Sequence, residues 1–127
     1  MAADSEHPLA HCAVLLAEDQ DFVRQTMERF LAQAGAQVTA VENGADALAI
    51  EAVDGFEVIL CDVRMDPIDG IDLVAELRRK GFTGGVILFS SDPAEDFADD
   101  AEDLSVDQVL TKPIKRDELI EAVQRFR

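Results

Sequence analysis

Residues 58–70 read VILCDVRMDPIDG, and this stretch points to the fold of the whole chain. Four apolar side chains in a row are typical of a short strand that is covered on both faces. The run ends abruptly on a carboxylate, Asp62, and a second acid, Asp69, stands seven residues later, directly before Gly70. Because burying a carboxylate is costly unless it is paired, an acid at the mouth of a buried strand indicates a site.

Short apolar runs of the same kind recur along the chain and alternate with amphipathic stretches. The predicted strands are residues 12–17, 37–41, 57–61, 85–89 and 108–111. The predicted helices are residues 21–34, 45–52, 71–80, 93–103 and 115–126. Asp21 is the predicted cap of the first helix, and Gly35 is its predicted stop. The second helix is expected to turn inward with Ala45, Leu48, Ala49 and Ala52. This alternation predicts an α/β fold with right-handed crossovers, in which five helices cover a doubly wound parallel sheet of five strands.

The composition is that of one globular domain. The chain has 127 residues, of which 48% are hydrophobic, and we expect a domain over residues 12–127 behind a loose leader, residues 1–11. Cys12 and Cys61 lie inside apolar runs and are expected to be reduced core residues. The chain shows no signal-peptide pattern and no apolar run of about 20 residues, so we expect a cytoplasmic protein.

The net charge of the chain limits the kinds of molecule that it is expected to bind. It carries 27 acids against 11 Lys and Arg, a formal net charge of −16. Such a surface disfavours nucleic acid, whose phosphates need cations, and anionic membrane surfaces. It is compatible with a bound cation or with a partner that has a basic face.

Polar side chains stand at the ends of four predicted strands. Glu18 and Asp19 follow the first strand, Asp62 follows the third, Ser90 the fourth and Lys112 the fifth. In a doubly wound sheet these ends meet at the edge where ligands bind. Three neighbouring carboxylates repel one another and stay ionised at neutral pH only with a cation among them, and hard oxygen ligands select magnesium or manganese. An Asp beside such an ion is a nucleophile toward phosphorus, and Lys112 and Ser90 are placed to hold phosphoryl oxygens.

This combination resembles the receiver domain of bacterial response regulators, of the chemotaxis-regulator type, from residue 12 to about residue 126. The resemblance implies a flavodoxin-like topology. It makes Asp62 the phosphoacceptor, Ser90 the switch hydroxyl and Lys112 the phosphoryl-binding cation, with a cis bond before Pro113. It further implies that Asp19, Asp62 and the backbone carbonyl of Arg64 bind magnesium directly, and that Glu18 acts through water.

The same resemblance implies the partners and the kind of activity. The phosphoryl group would come from a phosphohistidine on a histidine kinase or a histidine phosphotransfer protein. The output would pass to an unidentified downstream protein rather than to nucleic acid or a membrane. The domain would catalyse its own phosphotransfer and dephosphorylation, and would be a signalling module of a two-component system or phosphorelay rather than a metabolic enzyme.

The chain departs from the family pattern at a few positions. Pro67 stands one residue later than the family's usual Met-Pro, and Val109 replaces the usual aromatic switch residue. Arg64 and Asp92 fall at positions that tune phosphoryl hydrolysis in the family. Arg64 would shield the phosphoryl group or pair with Asp92, or both are solvated loop charges.

Other functions remain open at this point. A receiver-like interaction module that is never phosphorylated is compatible with Val109. A magnesium-dependent phosphatase with an Asp nucleophile would want a general acid where Arg64 stands. A flavin-binding protein of similar topology is disfavoured by the anionic loop after the first strand.

Two further features call for an interpretation. Residues 92–107 hold eight acids, and we expect a marginal, mobile fourth helix that is a solvated face or a surface for a basic partner. His7 and His11 have no partner at ligand spacing, and no role is expected for them as phosphodonors.

Overall fold

The computed structural model describes residues 7–126. Its strands are β1 (Ala13–Ala17), β2 (Gln37–Val41), β3 (Val58–Asp62), β4 (Gly85–Ser90) and β5 (Gln108–Thr111). Its α-helices are α1 (Asp21–Gln33), α2 (Gly44–Leu48), α3 (Gly70–Arg79), α4 (Ala98–Asp103) and α5 (Arg116–Gln124), with 3-10 turns at Val53–Gly55 and Ala94–Phe97. The predicted α/β fold, with five strands and five helices, is confirmed for this part of the chain.

The five strands form one parallel sheet in the order β2-β1-β3-β4-β5. The order reverses between β1 and β3, so their carboxyl ends flank the crevice where this class of sheet binds ligands. β3 and β4 lie in the middle of the sheet and all of their residues are buried. Central parallel strands are covered by helices on both faces, which explains why their sequences are continuous apolar runs.

Alternate residues of each strand feed two separate cores. On one face Leu16, Leu60 and Phe89 pack with residues of α1 and α5, such as Leu31 and Leu119. On the other face the neighbouring strand residues pack with α3, and this second core includes Leu15, Ile59, Leu88, Leu73 and Leu77. Because both faces are filled, the strands are held rigidly, and so are the side chains at their ends.

Glycine ends two of the helical segments as predicted. Gly35 and Gly81 have φ angles of 101° and 105°, a region that other residues adopt only with strain. The first helix begins differently from the prediction: Gln20 is its N-cap, and Asp21 lies inside the first turn, where it pairs with Arg24. The predicted cap at Asp21 was therefore wrong by one residue.

The second helix is shorter than predicted, and of the predicted inward residues Leu48 packs against the core whereas the three alanines do not. The α-helix ends at Leu48, and the segment closes with the 3-10 turn Val53–Gly55. Ala45, Ala49 and Ala52 are exposed, whereas Ala47 and Val53 are buried. Alanines bury little apolar area, so the larger side chains further along determine which face turns inward.

Residues 7–11 differ from the loose leader that was expected. They form a turn in which Leu9 is fully buried, and the Leu9 N–H donates to the carbonyl of Ala34 over 2.8 Å. Leu9 fills space in the core beside the end of α1, which holds this turn on the domain. The rest of the expected leader, residues 1–6, lies outside the described residues.

The fourth helical segment is short and mostly exposed. It consists of the 3-10 turn Ala94–Phe97 and the six-residue helix α4, and α4 itself has no buried residue. Phe97, with 8% of its surface exposed, anchors the segment to the core. Single-residue anchorage of an acidic segment indicates low local stability.

Candidate functional site

The carboxyl edge of the sheet brings the predicted side chains together. Glu18 and Asp19 follow β1, Asp62 ends β3, and carboxylate oxygens of these three residues all lie within 4.8 Å of one another. Ser90 ends β4, and Lys112 follows β5. The register of the strands explains why these side chains lie close together. Asp62 of β3 pairs with Phe89 of β4, and Ser90 of β4 pairs with Thr111 of β5.

Lys112 is the cation of the cluster. Its Nζ donates to Asp62 Oδ2 over 2.9 Å and lies 3.0 Å from Glu18 Oε2. Burial opposes the charge on the ammonium, but the hydrogen bonds and charges of Asp62 and Glu18 outweigh this, so the pKa of Lys112 is raised above its ordinary value. Lys112 therefore stays protonated and balances one of the buried negative charges.

Glu18 is the most buried of the three acids, with no exposed surface. Its Oε1 accepts the N–H of Gln20 over 3.0 Å, whereas Oε2 is buried without a hydrogen-bond partner among residues 7–126 and lies 3.0 Å from Lys112 Nζ in an ion pair. Burial raises the pKa of the Glu18 carboxyl to about 7, although the Gln20 N–H and Lys112 oppose the rise. Oε2 is thus an acceptor that lacks a full partner inside a cluster of hard oxygens.

Asp62 is held at both carboxylate oxygens and is 3% exposed. Oδ2 is bound by Lys112, and Oδ1 accepts the N–H of Arg64 over 3.2 Å. Gly70 packs against the backbone of Asp62 so closely that a Cβ there would lie 2.2 Å from the Asp62 carbonyl oxygen. The Asp69-Gly70 pair thus starts α3, with Asp69 as the cap that accepts the Asp72 N–H, and supports the strand end from behind.

Ser90 and the two loop charges form a second cluster beside Asp62. Ser90 is buried, and its Oγ accepts the N–H of Asp92 over 3.0 Å. Asp92 Oδ2 accepts from Arg64 Nε over 2.7 Å, which joins the loop after β4 to the loop after β3. Asp92 raises the pKa of the Arg64 guanidinium further above its ordinary value. Of the arrangements considered for Arg64 and Asp92, the structure contains the ion pair.

The structure also shows where the residues that depart from the family pattern lie. Val109 is half-buried in β5 and packs in the core on the α3 face, which also contains Phe97 and Leu104. The Lys112–Pro113 peptide bond is cis, which is the geometry that the resemblance implies, and the Asp66–Pro67 bond is cis as well. The displaced Pro67 lies in the loop between β3 and α3.

A divalent cation fits this donor set. The three carboxylates supply oxygen ligands, and the unsatisfied Glu18 Oε2 marks where further positive charge or a bound water would be accommodated. No His or Cys lies in the cluster, which favours magnesium or manganese over a softer metal. The arrangement combines a buried carboxylate, two neighbouring acids and an ammonium, which are the kinds of group that phosphoryl transfer to an oxygen nucleophile uses.

The family comparison agrees with this geometry. Residues 14–124 match the model of the response regulator receiver domain. The chain belongs to this family. A receiver domain is a signalling phosphoacceptor, and in this chain the acidic cluster, the Ser90 hydroxyl and Lys112 lie together at the strand ends.

Relatives of this receiver domain include longer regulators. It is 31% identical over 112 residues to the Regulator of RpoS of Escherichia coli K12, a match covering 85% of this chain and 32% of that protein. It is 32% identical over 112 residues to the DNA-binding transcriptional regulator NtrC of the same organism, covering 88% of this chain and 24% of that protein. The chain therefore spans about a third or less of these relatives.

Solved structures agree on the fold. The receiver domain of the Francisella response regulator 1452 superimposes with a TM-score of 0.82 at 30% identity, covering 91% of this chain and 96% of that one.

Within residues 7–126, no helix is both long enough and apolar enough to span a membrane.

Two residues that sequence analysis did not single out also contact the site of this receiver domain. Arg24 of α1 donates from Nη1 to the Glu18 carbonyl over 3.0 Å and from Nη2 to Asp21 Oδ1 over 2.6 Å. The ring of Phe89 lies 5.5 Å from Lys112 Nζ, within cation–π range. The spacing of Asp21 and Arg24, one helical turn apart, was the available signal for their ion pair, whereas nothing in the sequence indicates the contact of Arg24 with the Glu18 carbonyl or that of Phe89 with Lys112.

Proposed function

We propose that this receiver domain is a phosphorylation switch in which Asp62 accepts a phosphoryl group from a phosphohistidine. A carboxylate oxygen of Asp62 attacks phosphorus, the phosphorus–nitrogen bond of the donor breaks, and its electron pair returns to the imidazole. The observation that carries the proposal is the Asp62 carboxylate itself, which ends a buried strand and lies within 4.8 Å of two more acids. Hydrolysis by water returns the carboxylate, so the domain acts as a signalling module rather than a metabolic enzyme.

Each neighbouring group has a proposed role in this transfer. Magnesium or manganese would be held by Asp19, Asp62 and the Arg64 carbonyl, with Glu18 acting through water, and would neutralise charge on the phosphoryl oxygens. Lys112, now bound to Asp62 Oδ2, would hold a phosphoryl oxygen from the opposite side. Ser90 would donate a hydrogen bond from its hydroxyl to another, since Ser90 is buried at the end of β4 and its O–H can rotate.

The ion pair of Arg64 and Asp92 provides a route from the site to α4. A phosphoryl group on Asp62 would compete with Asp92 for the guanidinium of Arg64, which binds Asp92 in the present structure. Asp92 lies two residues before the 3-10 turn Ala94–Phe97, which leads into α4 and contains the buried Phe97. We propose that phosphorylation shifts the population of this segment toward the output state, in place of an aromatic switch at Val109.

The phosphodonor is proposed to be a histidine kinase or histidine phosphotransfer protein that docks on the apolar groove beside the site. This groove has a volume of about 380 Å³ and is lined by Phe22, Met27 and Phe30 of α1 and by Pro113 and Ile114 after β5. It reaches the site itself, because Lys112 lines both. Phe22 is 81% exposed, and a docked donor would cover it.

The compartment proposed for the switch is the reducing cytoplasm. Cys12 and Cys61 are both buried in the two cores, and burial raises the pKa of the Cys61 thiol far above its ordinary range. A protonated, buried thiol behaves as a small core side chain.

The test is a titration with the phosphoryl mimic beryllofluoride in the presence of magnesium, followed by amide chemical shifts. We expect shifts at residues around Asp62, Ser90 and Lys112 that extend into residues 92–103. The Asp62→Asn variant is the matched control and should not respond. A wild-type domain without a response, or an equal response in the variant, would overturn the phosphoacceptor assignment.

A further inference from the structure

Arg24 contacts the loop that carries two of the three acids, although it does not touch the acid cluster itself. Its Nη1 donates to the backbone carbonyl of Glu18 over 3.0 Å, and its Nη2 donates to Asp21 Oδ1 over 2.6 Å. The Arg24 side chain is only 15% exposed, so the guanidinium is largely withdrawn from water. The planar guanidinium of Arg24 binds both ends of this loop, so it restricts the conformation of the loop and also brings a positive charge to it.

The hydrogen bond from Arg24 to the Glu18 carbonyl adds to contacts that already hold the N–H and the side chain of Glu18. The Glu18 N–H donates to the Val41 carbonyl over 3.1 Å, which extends the pairing of β1 with β2 by one residue. The Glu18 side chain is fixed by the Gln20 N–H at Oε1. With its carbonyl bound by Arg24, the peptide group that joins Glu18 to Asp19 has one orientation.

Asp19 depends on that peptide group for its position. Its side chain is exposed, and within residues 7–126 its carboxylate has no hydrogen bond or ion pair of its own. The backbone therefore decides whether the Asp19 carboxylate lies near Asp62, and within the loop the backbone is held by Arg24.

We propose that Arg24 is a positioning residue for cation binding, which holds the Glu18–Asp19 peptide group so that both carboxylates face Asp62. The inference rests on the proposed function in one respect, namely that this acid cluster binds magnesium. Arg24 does not touch the ion or the phosphoryl group. It acts through the backbone, as residues behind the ligands of a metal site do.

Charge and position predict opposite results for Arg24, which makes the proposal testable. Removing a positive charge close to an acid cluster strengthens the binding of Mg²⁺ if only electrostatics acts. Removing the group that positions two ligands weakens it, by about tenfold in affinity on the usual scale of such contacts. The sign of the change in Mg²⁺ affinity therefore separates the two effects.

The experiment measures the Mg²⁺ dissociation constant from amide shifts of Asp19 and Gln20 in the intact domain. We expect about tenfold weaker binding in Arg24→Gln, and intermediate weakening in Arg24→Lys, which keeps the charge but reaches only one of the two acceptors. Arg29→Gln removes the same charge from an exposed site on the same helix and should bind as wild type or slightly tighter. Thermal melts without Mg²⁺ report separately on any loss of stability.

The outcomes distinguish this proposal from the proposed function. Arg24→Gln that binds Mg²⁺ as tightly as wild type, or more tightly, overturns the positioning role even if the variant melts at a lower temperature. Arg24→Lys provides the same test if Arg24→Gln does not fold, and wild-type affinity there overturns the role of the fork. A wild-type domain that does not bind Mg²⁺ overturns both this role and the proposed cation site.

Discussion

Gly70 is the residue on which the position of Asp62 most directly depends. A methyl group there would lie 2.2 Å from the Asp62 carbonyl oxygen and 2.9 Å from Val63 Cα, and both of these are backbone atoms that cannot rotate aside. The Gly70 N–H also donates to the Val63 carbonyl over 2.8 Å, so the start of α3 is tied to the end of β3. Only glycine permits this approach without moving Asp62.

We therefore expect Gly70→Ala to lower the free energy of unfolding by about 1–3 kcal/mol, the usual cost of overpacking. It should also displace the amide shifts of Asp62 and Val63. Urea denaturation and an amide spectrum measure the two effects. Gly55→Ala is the matched control, because nothing lies within 4 Å of a Cβ at that position. Equal stability of the two variants would contradict the close contact.

Single residues also show where sequence reasoning ends. Asp62 was predictable because a buried run that stops on an acid needs a chemical reason, and strand ends in a parallel sheet converge. The contacts of Arg24 with the Glu18 carbonyl and of Phe89 with Lys112 were not, because they depend on side-chain paths rather than on spacing. The ion pair of Arg64 and Asp92 was one of several alternatives until the two loops were placed.

At the scale of elements, apolar periodicity predicted the strands to within a residue or two, because continuous apolar runs admit few registers. It did worse for α2, since a stripe of alanines specifies a buried face weakly and Ala47 and Val53 are the side chains that bury. The prediction for the fourth helical segment was partly correct. Its acids predicted a weak helix, and the structure contains a 3-10 turn followed by six helical residues.

The fourth segment, residues 94–103, has six acids and no basic residue, so repulsion should limit its stability. We expect its amides to exchange with solvent more slowly as salt rises from about 0.01 M to about 1 M, where the screening length falls from about 30 Å to about 3 Å. Hydrogen exchange measures this. α3, with two acids and two arginines, is the internal control and should change little. Exchange in residues 94–103 that is insensitive to salt would contradict the role assigned to repulsion.

At the scale of the whole molecule, the sheet order places both acidic loops and Lys112 at one edge, while two filled cores hold that edge rigid. The domain carries a net charge of −16, and three carboxylates share one pocket. The central strands β3 and β4 are buried along their whole length, and the packing of the two cores on either side of them offsets the repulsion at the site. A bound cation should therefore stabilise the entire fold.

We expect Mg²⁺ to raise the melting temperature of the domain, because an ion that binds only the folded state adds its binding free energy to folding. At a hundredfold excess over the dissociation constant the gain is about 2.7 kcal/mol. Asp19→Asn removes a proposed ligand from an exposed position and should lose most of the gain. A melting temperature that Mg²⁺ leaves unchanged in the wild-type domain would contradict the cation site.

The central claim is that Asp62 is the phosphoacceptor, and covalent phosphorylation tests it most directly. The intact domain is incubated with a small-molecule phosphodonor, such as a phosphoramidate salt, and Mg²⁺, and its mass is then measured. The wild-type domain should gain the mass of one phosphoryl group, held in an acyl phosphate that hydroxylamine removes, and Asp62→Asn should gain none. A wild-type domain that stays unmodified, or a variant that is modified to the same extent, would contradict the claim.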